Sequence, residues 1–149
     1  MKKYAIALLL SFATMGLYAA DTTAPSSAPS WYAEVEASIK AKQYDKAVTQ
    51  LREVNEVNSA DWNNVLGYSL RKKSPPDLVG AEKHYQAALR LDPKHRGALE
   101  YYGELFLMKN DLPGAESMLA RLNKACFFGC EEYTDLKESI QEYKAKKAK

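Results

Sequence analysis

Cys126 and Cys130 are the only thiols in the chain and sit in the run Ala-Cys-Phe-Phe-Gly-Cys-Glu-Glu-Tyr. On a helical path this i, i+4 spacing brings the α-carbons to about 6 Å, within the range a disulfide spans. In an oxidising compartment two such neighbours pair. Closing so small a ring is worth about 2 kcal/mol on loop-entropy grounds, and it pins the last segment of the chain onto the one before it. Two other chemistries compete for the same atoms. A redox pair is one, although the thioredoxin-like signature is Cys-x-x-Cys in a βαβ setting and neither is present. A metal pair is the other. Zinc asks for four ligands, and the only histidines, His84 and His95, lie well upstream. Copper(I), which accepts soft thiolates, is the metal that remains. A structural disulfide is the primary reading, and redox or copper handling is the alternative.

No other constellation points to catalysis. There is no Gly-rich phosphate loop, no nucleophile elbow and no helix with paired histidines. The seven glycines fall mostly at helix contacts and turns, which leaves no cofactor loop. Carboxylates are frequent but interleaved with bases, as in Asp45 and Lys46 beside Arg52 and Glu53, and read as solvated helix faces with i, i+4 pairing. The chain is read as a non-enzyme with no cofactor and no dedicated metal site.

The elements that position these residues begin after a distinct N-terminal segment. Met1, Lys2 and Lys3 precede an apolar run from Tyr4 to Ala20, broken only by Ser11, Thr14 and Gly16. A basic start, a short apolar stretch and a small-residue exit predict a secretory signal peptide over 1–20, cleaved near Ala19 or Ala20. The run is shorter than a spanning helix needs, so no stable membrane insertion is expected after cleavage. The two-lysine start suggests a bacterial signal, and the expected destination is the periplasm. Without those two lysines, the mature chain balances 19 basic against 19 acidic residues. A neutral protein has no electrostatic footprint for nucleic acid. The basic end (Lys144, Lys146, Lys147, Lys149) suits a helix C-terminus. Residues 21–30 are Thr, Ser, Ala and Pro apart from Asp21, and predict a flexible spacer.

From Trp31 onward the apolar residues follow helical spacing, and Pro occurs only at joints. Seven helices are predicted, at about 31–41, 44–57, 60–72, 77–91, 95–109, 112–125 and 130–146. Tyr44, Leu78 and Leu112 stand 34 residues apart, as do Ala47, Ala81 and Ala115. The same step carries Leu51 to Tyr85 to Leu119 and Val54 to Ala88 to Leu122. This period is that of helix–turn–helix repeats.

The residues resemble the tetratricopeptide repeat family. One unit runs Asn63, Leu66, Gly67, Leu70, Ala81, Tyr85, Ala88, Asp92, Pro93; the next runs Leu99, Tyr102, Gly103, Phe106, Ala115, Leu119, Leu122. Gly67 and Gly103 fall where the two helices of a repeat touch, with Ala47, Ala81 and Ala115 at the matching spot on the second helix. Two departures stand out. Gly67 to Gly103 is 36 residues, the excess falling in Lys73-Ser74-Pro75-Pro76. The first repeat has Val35 where the family prefers Gly, with Trp31 and Ile39 supplying bulk. The resemblance implies an all-α solenoid of three repeats, at about 31–59, 60–93 and 94–129. The amphipathic segment 130–149 caps it, with Tyr133, Leu136, Ile140 and Tyr143 on its inner face.

The resemblance also implies a concave groove lined by the first helix of each repeat. At the family's groove positions stand Tyr32 and Glu36, then Asn64, Tyr68, Arg71 and Lys72, then Glu100, Tyr101, Glu104 and Met108. Tyrosines offer apolar area with a polar tip, whether packed between helices or used for recognition. The mixed charge suits an extended peptide or a partner helix. A clamp for a peptide C-terminal carboxylate, known in this family, is not expected, because Glu100 and Glu104 would repel it. The expected role is a non-catalytic interaction module binding an envelope protein or peptide, with self-association of end helices as a further possibility.

Overall fold

The computed structural model describes residues 29–148. The predicted signal peptide and residues 21–28 of the predicted spacer lie outside the described residues. Within them the chain forms α1 (Tyr32–Lys40), α2 (Tyr44–Val54), α3 (Ala60–Lys72), α4 (Leu78–Leu91), α5 (Arg96–Met108), α6 (Leu112–Ala125) and α7 (Glu131–Lys147), with no strand. It is an all-α, tetratricopeptide-like solenoid. The helices pair as α1/α2, α3/α4 and α5/α6, and α7 packs on both α5 and α6.

Local chemistry sets the boundaries. Side-chain oxygens of Ser59, Asp77 and Asp111 accept from the amides of Trp62, Gly80 and Gly114 at 3.2, 2.8 and 2.9 Å, starting α3, α4 and α6. His95 starts α5 with a ring nitrogen: its Nδ1 accepts from the Ala98 amide at 3.1 Å. The acceptor Nδ1 leaves the proton on Nε2, which donates to Asp61 across the repeat at 3.0 Å. One predicted boundary is wrong. The second helix stops at Val54, three residues early, because Asn55 turns left-handed (φ 53°) and its amide caps Leu51 O. Asn tolerates that conformation, and it ends a helix.

The core runs the length of the stack. Ala47, Leu51, Ala81, Tyr85, Ala88, Ala98, Leu99, Leu105, Ala115, Leu122 and Leu136 are completely shielded from solvent. Small residues let the helices approach. A Cβ on Gly67 would lie 2.8 Å from Tyr85 Cε1 and 3.2 Å from the Ala81 carbonyl oxygen. One on Gly103 would lie 2.5 Å from Leu136 Cδ2, so α7 reaches the third repeat through a notch. In the first repeat Val35 replaces glycine, and Trp31 closes the end with its Nε1 donating to Glu56 at 2.8 Å. Most ion pairs join different helices. Asp45 meets Lys73 at 3.4 Å rather than a base on its own helix, and Glu82 meets Lys109 at 2.6 Å.

Candidate functional site

A cleft of about 230 Å³ opens across the first helices of the three repeats. Tyr32, Glu36, Ile39 and Lys40 of α1 line it, with Asn64, Val65 and Tyr68 of α3 and Tyr101 of α5. The sequence places these residues in register. Tyr32 and Asn64 occupy equivalent positions, as do Glu36 and Tyr68, and Val65 and Tyr101. A solenoid converts such columns into one continuous surface. The structure thus brings together five of the sequence-predicted groove residues: Tyr32, Glu36, Asn64, Tyr68 and Tyr101.

The other five lie elsewhere. Arg71 is not a surface cation. It is 6% exposed, and its Nη2 donates to Glu104 Oε2. Its Cζ lies 5.7 Å from the ring centroids of both Tyr68 and Tyr101, whose own centroids are 4.8 Å apart. Helical phase turns this position inward, where the guanidinium is held by two rings and one carboxylate. Glu104 is therefore half of an internal ion pair rather than a free groove charge. Lys72 is exposed, with its Nζ 5.8 Å from the Tyr68 centroid. Met108 is exposed but belongs to a separate depression shared with α7, beside Leu107, Ser139, Tyr143 and Lys146. The capping helix takes over the end of the concave face.

Glu100 is the most perturbed acid. It is 7% exposed. Burial pushes its pKa up to about 8, reinforced by Glu104, Asp135 and Glu132 and opposed by Arg71. Burial, with Glu100 next, likewise raises the neighbouring Tyr101 hydroxyl. Asn64 is 8% exposed, and among the described residues its Oδ1 has no donor and the buried Arg71 Nε and Tyr85 hydroxyl have no partner. Behind the cleft, burial holds His84 below the ordinary imidazole value. It is therefore neutral at pH 7, with its Nδ1 3.0 Å from Asn63 Oδ1.

Ile39, Lys40 and Val65 were absent from the sequence-predicted groove. The step from Val65 to Tyr101 equals that from Gly67 to Gly103, and that equality would have found Val65. Cys126 and Cys130 stand side by side between α6 and α7, Cα atoms 5.6 Å apart and sulfurs at bonding distance. Between them Phe127 and Phe128 are 88% and 96% exposed, and Gly129 takes φ +85°. A glycine there is required, since other residues resist that conformation.

Comparison with solved structures supports the same architecture. PcrH in complex with the chaperone binding region of PopD superposes with a TM-score of 0.66 at 17% identity, covering 78% of this chain and 90% of that one. The Yersinia enterocolitica type III secretion chaperone SycD, in complex with a peptide of the translocator YopD, gives 0.64 at 19% identity, covering 78% and 92%. The SycD translocator chaperone gives 0.66 at 18% identity, covering 80% and 84%. At these identities the likeness is one of fold. No protein-family description and no curated protein matches the chain.

Proposed function

We propose that this protein is a non-catalytic docking module that holds an extended segment or helix of a partner protein along the cleft of α1, α3 and α5. One observation carries the reading: the first helices of three successive repeats supply a single cleft lined by Tyr32, Tyr68 and Tyr101. Tyrosines provide contact area at low conformational cost and keep a polar tip for hydrogen bonds. The fold likeness supports the reading further, because two of the similar chains were solved with a segment of a partner protein. The N-terminal segment makes an exported, periplasmic protein with an envelope partner the natural extension. Cys126 and Cys130 then form a disulfide that ties α7 to the third repeat.

Site-specific photo-crosslinking tests the groove. A benzophenone amino acid at Tyr68 or Lys40 is expected to trap one recurrent partner, whereas the same probe at Lys83, outside the cleft, traps none. Absence of a cleft-specific adduct at normal expression sinks the proposal. Sequencing the N-terminus of the protein from the periplasmic fraction tests export, and an intact Met1 there would refute cleavage.

A second reading has its own observation. Ligand atoms of Cys126, Cys130 and Glu132 all lie within 4.8 Å of one another. Reduced thiols there could handle copper(I), with the repeats as the docking surface. A pair that resists mild reductant and ignores added copper(I) rules this out.

A further inference from the structure

We propose that the loop from Cys126 to Cys130 docks this protein on the surface of a phospholipid bilayer, with the Phe127 and Phe128 rings dipping into the lipid. The inference is independent of the cleft reading, because none of the loop residues lines the cleft.

The loop is a projecting knob. Gly129 N donates to Cys126 O at 3.1 Å, which closes a tight turn with the two phenylalanines at its corner. Both rings are almost wholly exposed, and they meet each other edge to face, centroids 5.0 Å apart, rather than packing on the core. Beyond its chain neighbours, no heavy atom of the described residues lies within 4 Å of a Cβ placed on Gly129, so the turn is open on that side too. The disulfide proposed above joins the ends of the knob, whose α-carbons lie 5.6 Å apart. A loop fixed in this way loses little freedom when its rings are buried.

The rest of the edge follows the same pattern. The connections from α2 to α3, α4 to α5 and α6 to α7 lie along it and are tied to one another. His95 meets Asp61 at 3.0 Å, Arg121 Nη2 donates to Pro93 O at 3.0 Å, and Arg96 meets Glu132 at 3.7 Å. Seven large apolar side chains are exposed among the described residues. Five of them belong to these connections or to the helix ends that enter them: Val54, Val57, Leu91, Phe127 and Phe128.

These side chains are separate tips, not one patch. Exposed polar residues such as Asn58, Asp92 and Lys94 stand between them. A protein partner grips a contiguous apolar patch. A bilayer needs no matching shape: its acyl chains close around a projecting ring from every side, and its plane meets several tips at once. The charges at the base of the knob select the lipid. Lys124 and Glu131, both exposed, flank the loop with one charge of each sign. A zwitterionic headgroup complements both, phosphate for the lysine and ammonium for the glutamate, whereas an anionic surface attracts only basic segments and would repel Glu131.

The test uses residues 21–149, which hold all seven helices and leave out the apolar run 4–20 that would enter lipid on its own. Wild type is expected to co-sediment weakly and reversibly with phosphatidylcholine vesicles. The double variant Phe127→Ser, Phe128→Ser should lower the partition coefficient by ~10-fold or more, with an unchanged circular dichroism spectrum. Phosphatidylglycerol in the vesicles should not strengthen binding. A Phe128→Trp protein, read against the buried Trp31 and Trp62, should be quenched by brominated acyl chains. Absent wild-type binding, full binding by the double-serine variant, or a lipid-bound Phe128→Trp protein that escapes quenching overturns the proposal. So does binding that requires phosphatidylglycerol and is lost in salt, since charge and not the rings would then be the anchor. Self-association of wild type that the double-serine variant lacks would assign the rings to a second copy and overturn it as well.

Discussion

Arg71 Nη2 donates to Glu104 Oε2 across 33 residues, joining the second repeat to the third beneath the tyrosines of the concave face. The arginine is nearly sealed from water and lies against the Tyr68 and Tyr101 rings. Removing one member of such a pair strands the other without compensation. Arg71→Ala should therefore cost roughly 3 kcal/mol in urea unfolding. In a double-mutant cycle with Glu104→Gln, the two effects should depart from additivity by about 1 kcal/mol or more. Additive effects would mean that the pair does not couple the repeats.

The two packing glycines should differ in tolerance. At Gly67 a methyl group meets the rigid Tyr85 ring and the Ala81 carbonyl; at Gly103 it meets the tips of Leu136. Leucine tips can rotate, and backbone cannot move aside. Both substitutions to alanine should destabilise, by about 1–3 kcal/mol, with Gly67→Ala the worse. Leu136→Val should recover part of the Gly103→Ala loss and none of the Gly67→Ala loss. Equal thermal shifts for the two alanine variants would contradict this account of the notches.

Glu100 makes stability depend on pH in a defined direction. Unfolding returns its carboxyl from about 8 to the ordinary 4.5. Between those values the folded state binds more protons than the unfolded state, so stability falls as pH rises through the window. Burial sets this shift first, Glu104, Asp135 and Glu132 add to it, and Arg71 opposes it. Glu100→Gln removes the dependence. At pH 9 it should exceed wild type by several kcal/mol, at most about 5 for a shift from 4.5 to about 8, and near pH 4 the two should converge. Urea midpoints that run parallel across pH would refute the buried, uncompensated carboxyl.

The cysteine pair should behave as a local staple. Replacing both residues with serine should cost about 2 kcal/mol, the loop-closure value for so short a ring. Helicity should survive, because Leu136 and Ile140 still bury against the third repeat. Thiol titration of the denatured, unreduced protein should find none. Two free thiols in protein taken from an oxidising compartment would remove the staple and favour the redox or copper reading.

The architecture was legible because a repeat writes itself three times. The columns through Ala47, Ala81 and Ala115 set the register, and the glycines marked the close contacts. The cleft was legible to the extent that its residues recur at equivalent positions, as Tyr32 and Asn64 do. Sequence spacing did not reveal the inward turn of Arg71. Periodicity assigns a face, but a few tens of degrees of helical phase separate the groove from the interface beneath it. Charge patterning therefore read Arg71 and Glu104 as two surface charges when they form one internal pair. Met108 was misplaced for a different reason. Its column is right, but the capping helix alters the end of the concave face, and no repeat period describes a cap.

The two tryptophans, Trp31 and Trp62, both belong to the first half of the described stack, and both are buried. Nothing between α5 and α7 carries an indole. Emission from this protein is thus a one-ended observer: it reports the first two repeats and is blind to the cap. Circular dichroism sums over every helix. If the stack melts as one body, the two signals trace the same curve. If it frays, the order in which they move apart tells which end lets go first, with no label added.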